Sequence, residues 1–212
     1  MAEELQIVFT NESRKQFKAV IFPDDSDIDE SFSLTWLVFD SKTQNASLPS
    51  FSSIGFISQQ STVGPVPAPS GSSWLLVKEG ETLVLTEDVK ADQGDLQVDE
   101  PGIAEDSSSP IKITNTVKSS LDGHFILYKS GRPFFRFNVP PFGGSLTIPP
   151  NPSSLCFGLT KGEVKEGEVV KEKGKIFSPL ATLELSYFSS GIDITVTDNP
   201  AGRPHVTIEK LQ

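Results

Sequence analysis

The chain has 212 residues, 36% of them hydrophobic and 22% charged, which is enough apolar material for a core and too little charge for wholesale disorder. Its 18 basic and 28 acidic residues leave a formal charge of −10, which repels a phosphate backbone and an anionic membrane surface alike, so neither nucleic acid nor membrane is expected as a partner. A single cysteine, Cys156, excludes an intrachain disulfide; with no leader-like N-terminus and no apolar run near ~20 residues, the chain reads as a soluble cytoplasmic protein.

In chain order the pattern is one of short strands with almost no helical signal. Leu5, Ile7 and Phe9 alternate with polar neighbours, and after the polar Thr10–Ser13 a second strand runs from Phe17 to Phe22 and stops at Pro23. Ser33–Phe39 reads as a third strand, residues 40–50 as loop, and Phe51–Ile57 as a short strand. Val63–Ser73 carries three prolines and cannot hold a central ladder. Trp74–Leu85 has the pattern of a hairpin turning at Glu79–Gly80. Residues 87–110 are acidic, Ser-rich and poor in large apolar groups, which predicts a mobile surface loop.

Ile111–Val117 resumes strand character and leads into the most strongly patterned stretch, a predicted hairpin. Phe125 and Leu127 alternate with His124, Ile126 and Tyr128; Lys129–Pro133 supplies turn chemistry; Phe135, Phe137 and Val139 then interleave with Phe134, Arg136 and Asn138. Apolar groups on both faces predict a strand pair sandwiched between layers. Ser153–Leu159 follows a proline turn. Residues 161–175 alternate in charge, and their three glycines, each costing ~1 kcal/mol in a helix, favour a solvated hairpin arm. Leu180–Phe188, Ile192–Val196 and His205–Leu211 complete the set. The expectation is an all-β fold, an antiparallel β-sandwich of jelly-roll or related Greek-key type, folded as one domain over residues 1–212.

Several short motifs carry a family resemblance. Thr10–Ser13 before an apolar strand, Ser33–Trp36, and Gly144–Ile148 followed by a proline turn and Ser154–Leu159 resemble, in order, the motifs of RhiA-like (rhizosphere-expressed) proteins. The resemblance covers about half the chain, and the family's Trp- and Tyr-rich middle is replaced here by a Pro/Ser loop. It implies a small soluble β-protein and transfers no catalytic residue.

No motif for chemistry stands out. Asp25, Asp27 and Asp29 place carboxylates at alternating positions as a calcium loop does, but the glycine an EF-hand needs is missing, so Ca is the lesser expectation and a solvated acidic turn the preferred one. Two histidines, His124 and His205, are too few for a zinc site without carboxylates or Cys156. No Gly-x-Ser-x-Gly elbow is present, and a hydrolase would need a site assembled only in space. Cys156, between Leu155 and Phe157, reads as a buried thiol of raised pKa.

Fifteen Phe against two Tyr and two Trp leave two binding readings. In the first, the protein is a non-enzymatic carrier that holds a small, largely apolar ligand or pigment against Trp36, Trp74, Phe134, Phe135, Phe137 and Phe142, with Cys156 or a neighbouring lysine as the reactive group for any covalent adduct. In the alternative, it is a structural or partner-binding sandwich, lectin-like or self-associating into a homo-oligomer. The scarcity of Trp and Tyr weakens the lectin form.

Overall fold

A computed structural model describes residues 4–15, 17–24, 31–40, 42–49, 52–58, 74–78, 80–88, 93–100, 109–118, 123–149, 151–170, 177–178 and 180–212. Among them are 17 β-strands and no helix. The strands are β1 (Leu5–Asn11), β2 (Lys18–Pro23), β3 (Ser31–Ser33), β4 (Leu37–Phe39), β5 (Thr43–Leu48), β6 (Ser52–Ser58), β7 (Trp74–Val77), β8 (Thr82–Asp88) and β9 (Gln93–Glu100). They continue with β10 (Ile111–Asn115), β11 (Gly123–Lys129), β12 (Arg132–Asn138), β13 (Ser145–Ile148), β14 (Ser154–Thr160), β15 (Leu180–Glu184), β16 (Ile192–Asp198) and β17 (Pro204–Lys210). Four sheets result: I, ordered β17-β16-β1-β5; II, β15-β14-β2-β4; III, β13-β10-β8-β9; and IV, β3-β12-β11-β6-β7. The fold is all-β and sandwich-like, as the strand periodicity predicts.

The pairing pattern is duplicated. Parallel β1–β16 corresponds to parallel β10–β8, and antiparallel β1–β5 to β10–β13. The ladders β16–β17, β14–β15, β14–β2 and β2–β4 correspond to β8–β9, β6–β7, β6–β11 and β11–β12. One unit is therefore the continuous run β6 to β13. The other is made of β14 to β17 followed by β1, β2, β4 and β5, so it draws on both ends of the chain.

Hydrogen bonds at the ends of β1 and β10 repeat the correspondence. Asn11 and Asn115 each donate a backbone N–H to the neighbouring strand, to the carbonyls of Lys42 (2.7 Å) and Gly144 (3.0 Å). Each accepts at its side-chain oxygen the N–H two residues on, from Ser13 (3.0 Å) and Val117 (2.9 Å). The following residues, Glu12 and Thr116, donate to Val196 and Leu85 on the parallel strands.

Between the units lies one continuous apolar cluster, from Ile7, Phe9 and Ile21 through Trp36 to Phe125, Phe135, Ile192 and Ile194. The predicted hairpin is its centre. Ser130 (φ 52°) and Gly131 (φ 70°) form the turn between β11 and β12, with the two successive positive φ angles of a tight hairpin. The register shifts after Leu127, so that Leu127 faces Phe135 and Tyr128 faces Pro133. Phe134 is left over as a β-bulge, which lets it and its neighbour Phe135 both enter the core.

Five expectations from the sequence differ from the structure. Trp74–Leu85 is not a hairpin: β7 pairs with β6 in sheet IV and β8 with β9 and β10 in sheet III, because the turn at Gly80 (φ 75°) carries the chain from one sheet to the next. Ser33–Phe39 is not one strand but two in different sheets. Leu34 donates to Phe134 in sheet IV and Trp36 to Ile21 in sheet II, so this segment joins the two units. Residues 40–50 hold a strand, β5. The acidic stretch 87–110 contains the end of β8 and all of β9, whose Leu96 and Val98 stand opposite Leu85 and Leu83.

The fifth difference is the charged arm. Residues 163–170 are docked rather than a free hairpin: Thr35 donates to the Glu168 carbonyl (2.8 Å), Gly167 to Thr35 (2.7 Å) and Val170 to Ser33 (2.9 Å), while Val164 is buried. The valines supply the anchor that the charge pattern conceals. Asp25, Asp27 and Asp29 lie outside the described residues.

Candidate binding surface

The predicted ligand-contacting residues fall in three places. Trp36, Phe134, Phe135 and Phe137 come together in the core. Trp36 meets Phe134 edge-on at 5.3 Å, Phe134 meets Phe135 edge-on at 5.2 Å, and Phe135 meets Phe137 at 5.7 Å. Such contacts add roughly 0.5–1.5 kcal/mol each beyond area burial, and they give these faces to one another. Cys156 is on the far side of sheet II, in a separate cluster with Val20, Phe22, Val164 and Phe177. Trp74 and Phe142 face outward, 39% and 58% exposed, on the edge strand β7 and on the turn before Gly143.

The lysine beside the ring cluster is Lys129, and it is fully buried. Its backbone carbonyl accepts the Trp36 indole N–H (3.2 Å). Its Nζ donates to the Pro49 carbonyl (3.4 Å) and to Asn151 Oδ1 (2.9 Å). Pro49 and Asn151 stand on the two corresponding crossovers, β5 to β6 and β13 to β14, so one ammonium ties together the passages between units. Its place at a strand end beside Ser130 and Gly131 makes it look like a turn residue in sequence.

Outside the core, sheet IV carries a second set. Ile126 and Tyr128 pack with Leu34 and Val169, away from the Phe side of the hairpin. Arg136 stands opposite Ile126 and His124 opposite Asn138. Burial pushes the Tyr128 phenol up to about 12 and lowers the Arg136 guanidinium. One signal for this face was visible: Arg136 interrupts an otherwise aromatic Phe134–Phe137.

The clearest contrast between the units is at their edges. β7 and β15 are corresponding edge strands, and burial runs in the same order along both: Trp74, Leu76 and Lys78 outward like Leu180, Thr182 and Glu184, with Val77 buried like Leu183. The chemistry differs. β15 shows water Leu180, 41% exposed, then the Thr182 hydroxyl and the Glu184 carboxylate, and β7 is likewise followed by a charge, Lys78, so the difference is at the middle position. β7 shows an indole and, at Leu76, a side chain 61% exposed.

Among the described residues no group of three or more His, Cys, Asp or Glu could hold a metal ion. No helix among them is long and apolar enough to cross a membrane. The chain matches no protein-family model, no curated protein and no solved structure.

Proposed function

We propose that the chain is a non-enzymatic binding protein whose contact with another polypeptide is made along the edge of sheet IV at β7, its last strand among the described residues. The observation that carries this is the middle of the two corresponding edges, where β15 presents Thr182 and β7 presents Leu76, 61% exposed, next to the exposed Trp74. An apolar strand edge offers an incoming chain both a ladder of backbone groups and side-chain contacts. The RhiA-like resemblance implies a small β-protein and transfers no catalytic residue.

A small-molecule carrier is the second reading, favoured by the outward side of sheet IV, where Arg136 loses hydration beside the apolar Ile126 and Tyr128. An apolar molecule with an anionic group suits that combination. Native and denaturing mass spectrometry of protein purified from its natural source tests the two together. The expected result is a non-covalent complex with a second polypeptide. Added mass below about 1 kDa, or visible absorbance, would select the carrier, since ligand pockets take drug-sized molecules. Extra mass that survives denaturation would show a covalent adduct, and peptide mapping would locate its attachment point.

A further inference from the structure

Resting on the polypeptide-binding reading above, we infer that the partner of β7 is the β7 of a second copy, paired antiparallel about a two-fold axis through Leu76. The strand is self-complementary in this register. Leu76 stands opposite Leu76 of the second copy, Leu75 opposite Val77, and Trp74 opposite Lys78. Directly opposed residues of an antiparallel pair lie on one face, about 4.5–5.5 Å apart, so every pairing keeps outward groups with outward groups and inward with inward. Lys78, exposed at the strand's end, comes to lie against the Trp74 indole, where an ammonium is attracted to the ring face.

The corresponding strand of the other unit shows why the choice falls on β7. The same register on β15 sets Leu180 against Glu184 and Thr182 against Thr182, leaving a carboxylate over an apolar side chain. Sheet IV ends at β7 among the described residues, and β7 itself carries no charge from Trp74 to Val77, in a chain whose formal charge is −10. A closed two-fold pairing of two identical patches is also the commonest symmetry of soluble oligomers.

Magnitudes place the dimer on the weak side. Covering the exposed parts of Trp74 and Leu76 on both copies removes roughly 400 Å² from water, well under the ~1,200 Å² of a stable interface, so a dissociation constant above roughly 10 μM is expected. The two copies repel as like charges, so salt strengthens the pairing by screening.

Sedimentation velocity on the full chain over about 1–500 μM, a range set by that weak interface, reads the association. A reversible monomer–dimer equilibrium is expected, shifting toward dimer as salt rises and lost in Leu76→Lys but kept in Thr182→Lys. Leu76→Cys is expected to form a reducible intermolecular disulfide mapped to position 76 on both chains, and Thr182→Cys to form none, because only the first is placed opposite itself at disulfide range. A chain that stays monomeric across the range, a dimer that survives Leu76→Lys, or cysteines at 76 and 182 that cross-link alike would each overturn the pairing. A different polypeptide bound at β7 in the natively purified protein would overturn it too, while leaving the broader binding reading in place.

Discussion

Gly158 sits where a side chain has no room. A Cβ built there would lie 2.4 Å from the Phe177 Cβ and 3.0 Å from its Cγ, so the Phe177 side chain rests directly on the β14 backbone, with its ring 5.3 Å from that of Phe22. Gly158→Ala is expected to destabilise the fold by about 1–3 kcal/mol through overpacking, and Phe177→Ala by about 3–5 kcal/mol through the space it leaves. Alanine at 177 keeps the Cβ that stands 2.4 Å away, so the clash survives in the Gly158→Ala/Phe177→Ala double variant and the losses should add. Phe177→Gly removes that atom, and its double with Gly158→Ala should cost clearly less than the sum of the single losses; chemical denaturation measures this, and additive losses in that cycle would show that the contact is not what excludes a side chain at 158.

Tyr128 makes a pH prediction. Its phenol is raised to about 12 by burial, so the folded chain holds the neutral form more firmly than the unfolded chain, whose tyrosine titrates near 10. The associated stability is fully present below pH 10 and is lost as pH rises from about 10 through about 12. Melting temperatures across that window should fall less steeply in Tyr128→Phe than in the parent chain. Equal slopes would place the alkaline sensitivity elsewhere.

At the scale of the element, Asn11 and Asn115 close the same corner in different surroundings. Each accepts the N–H two residues ahead, but Asn115 is buried and also donates Nδ2–H to the Pro140 carbonyl (2.8 Å). Replacing Asn115 by Ala therefore leaves buried groups unsatisfied and should cost about 2–3 kcal/mol, while Asn11→Ala should cost about 1 kcal/mol. Equilibrium unfolding of the two variants reads the difference directly.

The strands themselves were largely legible. Leu5, Ile7 and Phe9, the Phe125–Phe137 hairpin, and Ile192, Ile194 and Val196 show their period plainly because one face of each meets the core. β5 and β9 were not, since Thr43–Leu48 and Gln93–Glu100 are polar in composition and resemble loops until their partners are known. Partnership was the least legible feature. Period two says that Phe17–Phe22 is a strand, but not that the chain leaves β1 for another sheet; that depends on long-range ladders such as Ile7 with Ile192. Of the ligand-contacting residues proposed from sequence, aromatic character alone could not separate Trp36 from Trp74, because burial is decided by the bulge at Phe134 and by the end of sheet IV.

For the molecule as a whole, the corresponding units share only short sequence features. Thr-Asn recurs at 10–11 and 114–115, a spacing of 115 − 11 = 104, and an apolar residue before proline recurs at 48–49 and 148–149, a spacing of 148 − 48 = 100. They are hard to read because one unit is split, so no simple halving of the sequence aligns the strands in order. The strand order is in effect a ring with its opening between β17 and β1. Lys210 pairs with Ile192, which pairs with Ile7, so the opening spans two strand spacings, roughly 10 Å. In the other unit the corresponding strands, β9 ending at Glu100 and β10 beginning at Ile111, are separated in sequence by the ten residues 101–110. Circular permutation should therefore be tolerated: a chain in which a linker of about ten residues joins Leu211 to Glu4, a reach well within its extended length, and which is opened at residues 50–51 should keep the parent's far-UV circular dichroism and melt cooperatively. A chain opened instead at Ser130–Gly131, inside the central hairpin, should not. The permuted polypeptide would read, from its first strand to its last, as two tandem modules of one design.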